Sequence, residues 1–88
     1  MTDPFYLLDG LSSETVNIIG YLEERPLERR RIGSADERRR WAVRDFRTVV
    51  ADAVHGEQGR RMTLEEADQA LRNIETRERV WQYLESRP

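Results

Sequence analysis

The sequence predicts an all-α fold: a small three-helix bundle with an extended apolar N-terminal arm. Three observations carry that expectation. Apolar residues recur at spacings of three and four through the second half of the chain, the period of one helix face rather than the alternation of a strand. Two Ser/Thr-x-x-Glu patterns, Ser34 to Glu37 and Thr63 to Glu66, stand directly before such runs and read as helix starts. The length of 88 residues fits one helical domain spanning 1–88. A domain of that size buries only roughly 60–65% of the surface its unfolded chain exposes, leaving little structure for a deep cleft.

The arm spans residues 1–11, and Phe5, Tyr6, Leu7 and Leu8 are its apolar stretch, expected to pack across the bundle. The first helix is expected over about 13–25. Ser12, Ser13 and Glu14 can cap it, and Thr15, Ile18, Ile19 and Leu22 fall on one face. It must stop near Arg25, because Pro26 disfavours helix in the residue before it. The alternation Val16, Ile18, Gly20, Leu22 also permits a strand, but the chain offers no second strand to pair with. Pro26 to Gly33 then reads as a basic connector, or as one helical turn begun by the proline.

The second helix is expected over 35–55. Ser34 opens it, with Asp36 and Glu37 at the end where the helix dipole favours anions. Ala42, Val43, Phe46, Val49, Val50, Ala53 and Val54 form its broad apolar face. At 1.5 Å per residue the rod is roughly 31 Å long, and Gly56 or Gly59 supplies the glycine that ends it. Its valines give it poor intrinsic propensity, so it needs tertiary packing.

The third helix is expected over 64–86. Thr63 and Glu66 form its capping box, with Met62 and Ala67 as a hydrophobic staple. Leu64, Ala67, Leu71, Ile74 and Trp81 trace its apolar seam, Val80 and Leu84 extend the final turns, and Glu78 occupies a slot on the seam. The polar run from Glu75 to Arg79 leaves two readings, a continuous helix with a solvated middle or a break near Asn73 to Thr76 with Thr76 as the new cap. Continuity is expected, because neither Gly nor Pro interrupts the run. Asp68 with Arg72, and Glu75 with Arg79, are acid-first pairs one turn apart, worth a few tenths of a kcal/mol each.

All 15 basic residues are Arg, against 17 acids, for a net charge of −2. That total conceals opposed blocks: −5 over residues 1–24, +5 over 25–47 and −2 over 48–88. Arg29, Arg30, Arg31, Arg38, Arg39, Arg40 and Arg44 are therefore a candidate basic face for an acidic protein surface or for nucleic acid, since the guanidinium fork binds carboxylate and phosphate bidentately. The competing expectation, and the favoured one, is that these arginines neutralise the acidic first helix within the molecule. Trp41, directly after three arginines, is either a base-stacking platform or core.

Catalysis is not expected, and no cofactor or metal site is expected either. Cys is absent and His55 is the single His, so neither a thiolate nor a catalytic triad is available within one chain. Asp52 lies one turn before His55, but two groups make a poor metal site. The Gly56–Arg61 segment carries two glycines without the Lys-Ser/Thr of a phosphate loop. Adjacent carboxylates such as Glu23/Glu24 and Glu65/Glu66 diverge around a helix. There is no leader-like N-terminus and no stretch of the roughly 20 apolar residues that a membrane span requires, so a cytoplasmic location without membrane attachment is expected.

The function expected from these features is a non-enzymatic protein-binding module of bacterial or phage type: a regulator, inhibitor, antitoxin or adaptor that occupies a partner protein. Aromatic residues and Arg dominate interface hot spots. The expected exposed anchors are Trp81, Tyr83 and Leu84, followed by Phe5 and Tyr6 of the arm. Nucleic-acid binding through the Arg-rich 29–47 stretch is the alternative, and a homodimer burying the seam of the third helix is a further one.

Overall fold

The computed structural model describes residues 9–24, 34–56 and 61–87. Among these residues there are four helices and no strand: α1 (Ser13–Glu24), α2 (Ala35–His55), α3 (Leu64–Ala70) and α4 (Ile74–Ser86). The Phe5–Leu8 arm and the Pro26–Gly33 connector lie outside the described residues.

Residues 13–24 form a helix and not a strand, with the expected face turned inward. Thr15, Ile18, Ile19 and Leu22 are all buried. Ser12 caps this helix, its hydroxyl accepting the Thr15 N–H at 3.3 Å and its carbonyl the Val16 N–H at 3.1 Å.

α2 begins at Ser34, whose hydroxyl accepts the Glu37 N–H at 3.1 Å. The reciprocal half of the expected capping box takes another form: the Glu37 carboxylate accepts from the Ser34 hydroxyl at 3.2 Å. Gly56 closes the helix at φ 85°, its N–H donating to the Asp52 carbonyl at 2.9 Å. That positive φ is the conformation glycine adopts without penalty. Of the expected apolar face, Ala42, Val43, Phe46, Val49 and Val50 are buried, while Ala53 and Val54 pack half-buried against them.

α2 is the central rod, and α1, α3 and α4 all pack on it. Phe46 is the largest fully buried side chain in a core that gathers Ile18, Ile19 and Leu22 from α1, Ala67 from α3 with Leu71 just past its end, and Val80 and Leu84 from α4. Two pairings make α4 antiparallel to α2. The Tyr83 hydroxyl donates to Asp52 at 3.0 Å, and the Arg87 guanidinium donates both ends to Asp45 at 3.1 and 3.3 Å. The Arg47 Nε–H bonds the Met62 carbonyl at 2.7 Å, holding the approach to α3 against the middle of α2.

The expectation of one helix over 64–86 is corrected. α3 ends at Ala70, its last turn tightening through bonds from Arg72 N–H to Gln69 and from Asn73 N–H to Ala70. Asn73 then takes an extended conformation (φ −90°, ψ 127°) and caps α4, its side-chain oxygen accepting from Glu75 at 2.8 Å and Thr76 at 3.2 Å. The reason is phase. At 3.6 residues per turn, the nine residues from Leu71 to Val80 amount to about two and a half turns. One straight helix therefore points Ala67 and Leu71 away from the side carrying Val80 and Leu84, yet all four are buried. The break re-aims the chain so that both stripes reach the same core, and it turns Ile74 outward, 62% exposed.

Candidate docking surfaces

One buried polar cluster organises the N-terminal end of α1. Asp68, 4% exposed, sends Oδ1 into three hydrogen bonds: from the Ser12 N–H at 2.9 Å, the Ser12 hydroxyl at 3.0 Å and the Thr15 hydroxyl at 2.6 Å. Its Oδ2 meets Arg72 at 3.5 Å. In a capping box the carboxylate that bonds the cap N–H comes from three residues along the same helix. Here α3 supplies it from 56 residues away, so the cap of α1 is completed by tertiary contact. Burial pushes the Asp68 carboxyl up, but the hydrogen bonds from Thr15 and Ser12 outweigh it, with Arg72 assisting, and hold the group below its ordinary value. A carboxylate so fully engaged fastens α1 to α3; every described partner of its oxygens is structural.

The expected aromatic anchors separate to different places. Val80 and Leu84 form the buried stripe of α4, and Trp81 and Tyr83 flank it on either side. Trp81 reaches α1, where its indole N–H donates to Glu14 at 2.5 Å and its ring meets Tyr21 edge-on at 5.3 Å and 74°. Tyr83 reaches α2 through Asp52. Leu84 is 1% exposed, so the expectation of an exposed anchor there is corrected: one turn after Val80, it faces the core. Trp81 and Tyr83 are half-buried. Phe5 and Tyr6 lie outside the described residues.

Trp81 forms the wall of a shallow groove of about 540 Å³ between α1 and α4, with Glu14, Ile74, Arg77, Glu78, Gln82 and Glu85 as the other lining residues. Ile74 and Trp81 lie seven residues apart, two turns along α4, on one side of the helix. Val16 and Ile74 are the large apolar side chains exposed among the described residues, and Ile74 is the one in the groove. Sequence periodicity assigned Ile74 to the core seam, so the residue most relevant to this surface was misplaced. The available signal was Asn73, a strong cap residue directly before it.

The Arg-rich stretch also divides. Consecutive helical residues diverge by about 100°, so Arg38, Arg39 and Arg40 fan around α2. Arg39 turns to α1 and pairs with Glu23, both side chains largely buried; for this residue the intramolecular pairing holds. Arg38, Arg40 and Arg44 are exposed, and of these Arg40 and Arg44, one turn apart, share a side. Arg44 borders a depression of about 310 Å³ with Trp41, Asp45 and Thr48. Trp41 is half-buried and packs against the core while one side of it lines that depression. Arg29, Arg30 and Arg31 lie outside the described residues.

His55 is exposed at the end of α2, and its neighbour Asp52 is engaged by Tyr83. Among the described residues no group of three or more His, Asp or Glu side chains is placed to hold a metal ion, and no helix is long and apolar enough to cross a membrane. Protein-family models, curated proteins and solved structures give no match to this chain, so its function must be read from the geometry of these surfaces.

Proposed function

We propose that the chain is a non-enzymatic protein-binding module of the regulator, inhibitor, antitoxin or adaptor type, and that it docks its partner on the α1/α4 groove. The observation that carries the reading is Ile74. A large aliphatic side chain 62% exposed beside a half-buried Trp81 gives up its contact with water only when something covers it. The groove is open and shallow, which suits a protein surface better than a small molecule, whose sites enclose most of their ligand. Trp81 is held by Glu14 and Tyr21, so little side-chain freedom remains to be lost on binding, the condition that favours an anchor residue.

The test is co-purification from the native host with wild-type chain, Ile74→Asp, and the double variant Arg40→Ala/Arg44→Ala, each checked for helix content by circular dichroism. The reading expects a stoichiometric protein retained by wild type and by the arginine variant and lost by Ile74→Asp. A partner that survives Ile74→Asp and is lost with the arginines overturns it.

Nucleic-acid binding is the second reading, supported by the exposure of Arg38, Arg40 and Arg44. Phosphate contacts release counterions, so such binding is strongest at low salt and falls steeply as salt rises. This reading expects retardation of DNA or RNA at about 50 mM salt that Arg38→Ala/Arg40→Ala/Arg44→Ala abolishes. Absence of retardation there removes it.

A further inference from the structure

We infer that the occupant of the α1/α4 groove is a cationic amphipathic helix of another protein, an apolar stripe flanked by Arg or Lys. The inference rests on the protein-binding reading and specifies the partner's chemistry. The arginine-rich stretch offered an acidic protein surface as one alternative to neutralisation within the molecule; the groove asks for a partner of the opposite sign. Its charged lining is Glu14, Glu78 and Glu85 against Arg77, a net charge of −2. Glu78 and Glu85 are exposed and lie one turn either side of Trp81, on the same side of α4 as Ile74. An apolar strip edged by carboxylates is complementary to an apolar strip edged by cations, and like-charge juxtaposition disfavours partners edged by acids. The strip is linear, about 10 Å from Ile74 to Trp81 at 1.5 Å per residue, which matches the i, i+4, i+7 anchors of a helix lying in a groove.

A second copy of this chain fits less well on both counts. Placing two copies groove to groove brings six carboxylates against two guanidiniums. Placing the groove on the α2 arginines satisfies charge but offers no exposed large apolar side chain there, since among the described residues those are Val16 and Ile74.

The test uses the full chain and three fluorescein-labelled helical peptides of about four turns each. One carries Leu at i, i+4 and i+7 with Arg on the flanking positions. The second has Glu in place of every Arg, and the third is a scramble of the first. Fluorescence anisotropy is read for wild type, Ile74→Asp and Glu78→Arg/Glu85→Arg. The expected result is saturable binding of the Arg peptide, at least about ten-fold tighter than the Glu peptide or the scramble, lost in Ile74→Asp and weakened about ten-fold or more by the charge reversal. Preference for the Glu peptide, still lost in Ile74→Asp, overturns the cationic partner and leaves the protein-binding reading standing. Arg-peptide binding that ignores Ile74→Asp removes both. Equal binding of the scramble, or no saturation by about 1 mM, overturns the inference. So does concentration-dependent self-association of the chain, by sedimentation, that Ile74→Asp abolishes.

Discussion

Asp68 shows how one side chain sets the relation between two helices. Its Oδ1 accepts from Ser12 twice and from Thr15 once, and hydrogen bonds to a charged group are worth about 1.5–3 kcal/mol where neutral ones are worth about 1. Asp68→Ala leaves the Ser12 N–H without its acceptor and the wholly buried Thr15 hydroxyl with only the Ser12 hydroxyl, 3.1 Å away, to pair with. We expect it to lower stability by about 2–4 kcal/mol, read as the urea midpoint shift at neutral pH. Asp68→Asn keeps one acceptor oxygen and should lose less. The pH dependence has a definite sign. The folded-state pKa of Asp68 lies below its ordinary value, so the stability it contributes is complete above the unfolded pKa of about 3.9 and disappears as pH falls through the lower, folded value. Wild type should therefore lose stability more steeply than Asp68→Asn when urea titrations descend from pH 5 through this range. Parallel curves would deny Asp68 that role.

At the scale of elements, the α3/α4 break is the feature that decides the surface. It arises without Gly or Pro, from a tightened last turn of α3 and the cap that Asn73 provides. Asn73→Ala removes two hydrogen bonds to the start of α4 and should cost about 1 kcal/mol. It should not fuse the helices, because the buried Leu71 and Val80 remain out of phase for one rod. Hydrogen exchange checks both statements: faster exchange at Glu75 and Thr76, with no new protection at 71–73. The local signals for helix starts were legible beforehand at Ser34 and Thr63, because a cap is made by residues three apart in sequence. The partner of Ser12 was not legible, because nothing local links it to Asp68. Asp68 itself read only as one member of an acid-first pair with Arg72 one turn along the helix.

For the whole molecule, α2 carries the others, and Phe46 is the side chain around which the inward faces of the remaining helices close. Phe46→Ala is expected to cost about 3–5 kcal/mol, a large part of the 5–15 kcal/mol typical of folded chains. Thermal or urea melts should show a largely unfolded or molten chain, whereas Phe46→Leu, which preserves most of the volume, should retain a cooperative transition. Charge operates at this scale too. Glu23 from the acidic block pairs with Arg39 from the basic block, so part of the opposed charge is consumed in joining α1 to α2. Asp45 and Asp52 of α2 are likewise taken up, by Arg87 just past the end of α4 and by Tyr83 within it.

What the sequence by itself determined is the helical class, three of the four helix starts, the buried face of α1 and most of that of α2, and Gly56 as one of two glycines that could end α2. All of these follow from spacing along the chain: helical period and capping are local properties. Only the tertiary structure decided that the last segment is two helices, that Leu84 is core and Ile74 is surface, that Arg38 to Arg40 fan apart, and that an acid-edged groove lies between α1 and α4. These depend on which side of each helix meets a neighbour. Periodicity identifies an apolar face but not its direction once a turn intervenes, and the phase between Leu71 and Val80 becomes a constraint only when both must enter the same core.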